Sequence, residues 1–288
     1  MKRHRFPGLA DPHHDQLVCI CVDGFGSDVG TNRAALRLTA MERVHAIGCS
    51  VSGEAWKTWS RLLRRLDADG VDIGLRLNLT DAAFLARSRR SLKALVAASW
   101  TGQLDRRGLR AEIRAQLDAF EQVIGHAPAF IDSHQQVHAL SGIRLELLDE
   151  LEHRYGGFRP WVRSTRSVAG EHHNGFRRLV ESLSARGLST LTRQRGYPQN
   201  RRLLAVPPIE GGLPRYRDVW LKWLRTCGDA HLLACRPTMG GDEDDCLVDA
   251  RDLEFQWLSS AAFGELLQFC GVALWPMSQI LAYHGSEP

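Results

Sequence analysis

The chain has 288 residues, 44% of them hydrophobic, enough for one large core or two modest ones, which argues against disorder or a fibre. Its net charge is only +4, from 37 Lys plus Arg against 33 Asp plus Glu, so no general polyanion partner is indicated. No run approaches the about 20 consecutive apolar residues of a membrane helix, and the opening MKRHRFPGLADPHHD lacks the apolar centre of a secretory signal, which points to a cytoplasmic protein.

The first sixteen residues read as a polar tail, and residues 17–288 as one domain. LVCICVDGFG at 17–26 is a continuous apolar run closed by an acid and glycines, as a strand buried on both faces requires. A helical period then runs from Asn32 to Ile47, with Ala35, Leu38, Met41 or Glu42, and Ala46 on neighbouring turns and Gly48 as the stop. The pattern repeats with a short strand at Cys49 to Val51, a helix over Glu54 to Leu66 and the strand VDIGLRLNLT at 71–80. Later strands are predicted at Ala129 to Ser133, Trp161 to Ser164, His231 to Arg236 and Val272 to Trp275. Helices are predicted at Leu109 to Ile124, Ile143 to Tyr155, Gly175 to Arg186, Arg215 to Leu224 and Leu253 to Phe269. The stretch from Asn200 to Pro214, with PPIEGGLP, is the most loop-like interior segment. Strand and helix in alternation imply parallel strands with crossover helices, so the fold class is α/β, a single (β/α) barrel-like domain.

Cys19, Cys21, Cys49, Cys227, Cys235, Cys246 and Cys270 lie in apolar contexts with no CxxC spacing and read as buried thiols. The densest basic runs, RLLRR at 61–65 and RSRR at 87–90, lack the interleaved aromatics of a single-strand-binding surface; a solvated helix face is the reading, with no nucleic-acid partner.

In parallel α/β folds the ligand lies beyond the carboxyl ends of the strands. Here those ends carry Asp23, Gly24, Phe25 and Gly26; then Arg76, Asn78 and Thr80; then Asp132, Ser133 and His134; and finally Arg163 and Arg236. One acid could cap a helix and one histidine could be a core residue, but several such ends in one chain point to a site.

VDGFG at 22–26 followed by Asn32, GLRLNLT at 74–80, FIDSHQQVH at 130–138, VR at 162–163 and ACRPTMG at 234–240 resemble, in order, the blocks of the YdjC-like carbohydrate deacetylases, the group with chitooligosaccharide and hopanoid-associated deacetylases. RDLEFQWLSS at 251–260 and GVALWPMS at 271–278 are similar to the family's closing helix and last strand. The resemblance implies a barrel-like fold of the carbohydrate deacetylase type and hydrolysis of an N-acetyl group on a sugar, glycan or glycolipid, with a divalent metal, zinc or magnesium, as cofactor. It also suggests a small homo-oligomer and a carbohydrate or glycolipid ligand.

Carried over residue by residue, the resemblance makes Asp23 the catalytic base and places Arg236 at the position of a late catalytic histidine. His134 matches a metal ligand. Gly24 stands where a metal-binding aspartate is implied, Arg76 where a second histidine is implied, and Gln136 replaces a further histidine. Arg76, Asn78, Asp132, His138 and Arg163 fall on the substrate-binding side. Glycine donates no ligand atom, and a guanidinium is a permanent cation without a free lone pair, so two of three implied ligands are missing. Arg76 is expected to pair with Asp23, which would make the aspartate a weaker base, and to favour an anionic ligand group. His134 and His138, four apart, would face one ion together with Asp23 if the segment turned helical; the alternative is that His138 orients a neighbour. Two functions therefore stand, a deacetylase with a remodelled metal site and a metal-free pseudoenzyme that binds a sugar or an anionic sugar derivative.

Overall fold

The unbroken apolar run at 17–22 arises because both faces of its strand are covered. In β1, Gln16–Phe25, Val18, Ile20 and Val22 pack into a large core beneath the helices, while Leu17, Cys19 and Cys21 join a smaller inner one. The computed structural model describes residues 16–68, 70–80, 83–85, 90–166, 175–205, 212–240 and 247–285. Most of the expected tail, Cys246, residues 87–89 of the RSRR run and residues 206–211 lie outside the described residues.

Seven further strands follow: β2 Ala46–Cys49, β3 Asp72–Leu77, β4 Phe130–Ser133, β5 Trp161–Val162, β6 Arg202–Ala205, β7 His231–Cys235 and β8 Val272–Leu274. Their order is β5-β4-β3-β2-β1-β7-β6, with β8 beside the first residues of β1, and every pairing is parallel. Among the described residues no ladder joins β5 to β6. The Leu203 N–H donates to the Arg166 carbonyl at 2.9 Å and the Ser164 N–H to Asn200 Oδ1 at 2.7 Å, so the curled sheet is an open (β/α) barrel.

The helices are α1 Val29–Ala40, α2 Trp56–Trp59, α3 Leu63–Ala68, α4 Leu92–Thr101, α5 Arg106–Ile124, α6 Ile143–Tyr155, α7 Gly175–Gln194, α8 Gly212–Thr226, α9 Val248–Ser259, α10 Ala261–Phe269 and α11 Met277–Gly285. In α5, Leu109, Ile113, Leu117, Phe120 and Ile124 are buried at helical spacing against the sheet. Each such side chain contributes roughly 1.5–3 kcal/mol when fully buried. Met277 and Ile280 of α11 are fully buried in the inner core, below the amino ends of the strands. Among the described residues no helix is long and apolar enough to cross a membrane.

Several expectations need correction. The helix expected through Ile47 ends at Ala40, because Glu42 turns left-handed at φ +55° and the chain re-enters the sheet as β2, so Ile47 is a strand residue. Apolar Val44 and Ala46 had prolonged the helical signal. The single helix expected over 253–269 is two, α9 and α10, parted at Ser260, whose extended backbone breaks the first and whose hydroxyl accepts the Phe263 N–H at 3.2 Å to start the second. The loop expected over 200–214 contains β6, too short to announce itself beside prolines and glycines. Helices α4 and α11 were not anticipated, and Gln16, assigned to the tail, begins β1.

Alternation along each strand separates the two cores. Residues Ile73, Leu75 and Leu77 of β3 face the helices, which turns Asp72, Gly74 and Arg76 inward. By the same parity Phe130 and Asp132, Trp161 and Arg163, and Leu232 and Ala234 face inward. The Phe130 and Trp161 rings, partners on the adjacent strands β4 and β5, stack inside the barrel with centroids 4.3 Å apart. Gly74 makes this possible, since a Cβ there would lie 2.2 Å from the Phe130 ring. The barrel is thus filled by an aromatic and aliphatic layer, and the next inward residues above it are charged.

Candidate functional site

That charged layer consists of Asp23, Arg76, Asp132 and Arg163. Arg163 Nη1 donates to Asp23 Oδ1 and to Asp132 Oδ2, each at 2.7 Å, and Arg76 Nη1 donates to Asp23 Oδ2 at 2.9 Å and also to Asp132 Oδ2. The side chains of Asp132 and Arg163 are 1% and 3% exposed, those of Asp23 and Arg76 12% and 17%, so the layer opens to solvent on the Asp23 and Arg76 side only. Burial pushes the Asp132 carboxyl up, but Arg163 and then Arg76 outweigh it and hold the group below the ordinary carboxylate range. For Arg163 burial works against its charge, yet Asp132 and Asp23 raise its pKa above that of a free guanidinium. Two acids and two bases cancel, giving a neutral, closed ring of charge-assisted hydrogen bonds.

The rim of the mouth is built by backbone devices. The register of β1 against β2 slips between Asp23 and Phe25, leaving Gly24 in a bulge at φ +89°. Such a bulge re-aims the chain at a barrel rim, and its left-handed backbone favours glycine. A Cβ at Gly24 would lie 3.5 Å from Arg236 Nε, so the guanidinium that follows β7 covers the position. Arg236 is fixed through its main chain: its N–H donates to Glu254 Oε2 at 2.7 Å and its carbonyl accepts from Arg251 Nε at 3.0 Å. Burial pushes the Glu254 carboxyl up to about 7, against the pull of that N–H. Loss of hydration lowers the pKa of Arg236, reinforced by the nearby Arg251 and Arg76 charges.

The remaining predicted residues serve other purposes. After β4 the chain makes a 3-10 turn, His134–Ala139, interrupted at Gln135 and Gln136, which are left-handed at φ +55° and +56°. That detour defeats the helical spacing that would have aimed His134 and His138 at one ion. His138 is fully buried, its Nε2 2.9 Å from the Arg163 carbonyl and its Nδ1 2.7 Å from Ser133 Oγ. A carbonyl only accepts, so Nε2 carries the proton and Nδ1 accepts from the serine hydroxyl. Desolvation lowers the pKa of His138, more than Asp132 can restore, and the ring is a neutral brace behind Arg163. His134 lies at the start of the turn, half-buried. Asn78 stands just past β3, its Oδ1 accepting from the Thr80 N–H and hydroxyl at 3.1 Å each, outside the charged ring.

Two residues not singled out from the sequence shape this rim. Gln116 of α5 donates to the Asn78 carbonyl at 2.7 Å and accepts the Asn78 N–H at 3.0 Å, while Glu112 accepts the N–H groups of Phe84 at 2.6 Å and Leu85 at 2.8 Å. The signal was available: both are polar, four apart, and interrupt the apolar stripe of α5.

A catalytic divalent metal usually takes three nitrogen, oxygen or sulfur ligands from the protein at about 2.0–2.3 Å. Here both Asp23 oxygens and Asp132 Oδ2 receive guanidinium protons, both His138 nitrogens are spent, and Gly24 has no donor. Among the described residues no three His, Cys, Asp or Glu side chains converge as a metal site. The donor set does not fit the metal that the resemblance implied.

Fold and mouth together define an open parallel (β/α) barrel with a layer of paired charges at the carboxyl ends of its strands. The chain aligns with a structure put forward as a cellobiose-phosphate cleavage protein of Enterococcus faecalis V583 at TM-score 0.65 and 15% identity, over 93% of this chain and all of that one. It also aligns with the Xyl-CE4 domain of a multidomain xylanase from the hindgut metagenome of Trinervitermes trinervoides, at TM-score 0.50 and 10% identity, over 96% and 94%. At such identities these likenesses concern the fold. Residues 17–268 match the YdjC-like protein family, and the chain belongs to it. It is 27% identical over 137 residues to a carbohydrate deacetylase of Homo sapiens, 43% of this chain and 42% of that protein. With a chitooligosaccharide deacetylase of Enterobacter sp. (strain 638) it shares 26% over 135 residues, 45% and 53%. The chain thus spans about half the length of these relatives.

Proposed function

We propose that the barrel mouth binds a carbohydrate and that this chain does not carry out the deacetylation after which its relatives are named. One observation carries the reading: Arg76 and Arg163 donate to Asp23 and Asp132, so the carboxylate oxygens a metal would use already hold guanidiniums. A guanidinium cannot ligate a metal and repels one nearby. The same pairing commits both Asp23 oxygens to guanidiniums, so the carboxylate belongs to the ring. The four residues serve as a fixed polar floor for a sugar, whose hydroxyls both donate and accept. The metal, zinc or magnesium, therefore has no role in this account.

The second reading, hydrolysis of an N-acetyl sugar, is favoured by the names of the relatives and by the presence of Asp23 and Arg236 on one rim. Arg236 would then stabilise negative charge on the acetyl oxygen while Asp23 activated water. The experiment incubates the purified protein with N-acetylated chitooligosaccharides, with and without added zinc, and follows free amine by mass spectrometry. The proposal expects no amine above the blank and saturable binding of an oligosaccharide by calorimetry. Amine release that disappears in Asp23→Asn establishes the second reading instead.

A further inference from the structure

The open seam of the barrel, between β5 and β6, carries a second concave site that shares no residue with the charged ring. A cleft of about 420 Å³ lies there beside the last turns of α7, with Arg166, Arg193, Gln199, Arg201 and Arg202 in its wall. Its backbone is held. The Arg166 N–H donates to Ser164 Oγ at 3.3 Å and its carbonyl accepts the Leu203 N–H at 2.9 Å, while the Arg201 N–H donates to the Ala230 carbonyl at 2.9 Å. Arg193 belongs to the last turn of α7. The charged ends are not committed in this way: among the described residues the guanidiniums of Arg166, Arg193 and Arg201 make no hydrogen bond and no ion pair, and all three residues are exposed.

Among the described residues no acid lines the cleft. The carboxylates around it have partners of their own. Asp149 and Glu152, on the Tyr197 side, accept from Arg195 and Arg159. Asp229, beside His231 at the foot of β7, accepts the Leu17 N–H at 2.8 Å and lies 3.9 Å from His284. Gln199 adds a neutral donor, since its Oε1 accepts from the Thr192 hydroxyl at 3.4 Å and its Nε2 is enclosed without a partner. An enclosed N–H without an acceptor carries a cost that a ligand oxygen removes.

We propose that the seam cleft is a phosphate-binding site, independent of whatever the mouth binds, and that its ligand is a phosphate group, free or as the monoester of a small molecule. Three unpaired guanidiniums with no acid among them call for an acceptor that bears more than one negative charge. A phosphate dianion offers three terminal oxygens in tetrahedral directions to donors from separate chain segments, whereas a planar carboxylate is filled by a single guanidinium fork. The volume falls within the range of small-molecule sites, about 300–1,000 Å³, so a monoester has room. A group held there joins the segment after β5, the end of α7 and the start of β6 across a seam that, among the described residues, has no strand ladder.

The test is calorimetric titration of the full chain with inorganic phosphate, with glycerol 3-phosphate and with sodium chloride at matched ionic strength. At least one phosphate is expected to fill one saturable site, and chloride to give only heat of dilution. Arg193→Gln and Arg201→Gln, exposed positions checked for unchanged circular dichroism, should each weaken binding by about tenfold or more, the worth of one charge-assisted hydrogen bond. Arg236→Ala at the mouth and Lys93→Ala on α4 should leave it unchanged. Equal affinities for the two phosphates make free phosphate sufficient, and tighter glycerol 3-phosphate assigns a monoester; either supports the site. No saturable binding, binding indifferent to both Arg193 and Arg201, or binding lost in Arg236→Ala overturns it.

Discussion

The barrel mouth and the outer face between α5 and α6 use the same pair of groups, arginine with carboxylate, under opposite conditions. On the helix face Arg110 donates to Glu146, Arg114 to Glu150 at 2.8 Å, and Arg154 to Glu121 at 2.7 Å. There the Arg106 and Arg110 side chains are 69% and 43% exposed while the Glu146 side chain they share is 3% exposed, so the loss of one arginine leaves the other on the same carboxylate. In the mouth Arg163 and Asp132 are almost fully enclosed, and each charge is compensated only by the others. Desolvation makes the buried set an all-or-nothing arrangement, whereas the surface set tolerates attrition. A metal site cannot be recovered in such a ring by one substitution, because every member changed leaves another buried and unmatched.

The sharpest way to break this comparison is Arg163→Ala. It should cost about 3–5 kcal/mol, the penalty for stranding buried partners, read by urea denaturation. A loss no larger than that of a surface pair would show that water enters the ring.

Glu254 supplies a third environment, buried like Asp132 but without a guanidinium on its carboxylate. Its pKa is pushed up to about 7 where that of Asp132 is held down. A raised folded pKa means that the folded state binds the proton more tightly, so its contribution is complete below the unfolded value near 4.5 and fades as pH rises to about 7. The shift corresponds to roughly 3 kcal/mol. Glu254→Gln keeps an acceptor for the Arg236 N–H and should remove most of the stability lost between pH 4.5 and 8. Asp132, with its pKa lowered, has the opposite sign: its contribution is present above the unfolded carboxylate value and is lost as pH falls through the folded one. Denaturation curves at several pH values, with an unchanged slope in Glu254→Gln, would contradict this assignment.

A smaller effect concerns ligand restoration. Gly24→Asp with Arg76→His should bind zinc more tightly than the two single changes combined, by about 1–3 kcal/mol of coupling, since ligands of one ion act as a unit. Gly24 lies at φ +89° with Arg236 3.5 Å from a new Cβ, so Gly24→Asp alone is strained and its carboxylate is captured by that guanidinium. Titrating zinc into the four variants checks this, and equal affinities throughout would refute it. Smallest of all is Arg110→Ala, below about 1 kcal/mol and shrinking in salt, because Glu146 stays within 3.7 Å of Arg106. Comparing melts at low and high salt reads it.

How far the sequence discloses this arrangement depends on alternation. In DIGLRL at 72–77 the apolar residues occupy one parity and Asp72, Gly74 and Arg76 the other, so the inward face is legible in the letters. FIDS and WVR similarly show Phe130 with Asp132 and Trp161 with Arg163, and all four members of the ring stand out as strand-end residues. That Arg163 bridges Asp23 and Asp132 is not legible, because residues 140 and 31 positions away meet only through the curvature of the sheet. Nor is the fate of His138, where two left-handed glutamines replace a helical turn that the spacing alone suggests. Strand β6 escaped because four residues give too little period to separate from a loop.

The central claim, that guanidiniums hold the place a metal would take, is tested most directly by elemental analysis of the protein purified without a metal-binding tag and then dialysed against zinc. The account predicts well under one equivalent of metal, unchanged in Asp23→Asn. One tightly held equivalent that Asp23→Asn releases would contradict it.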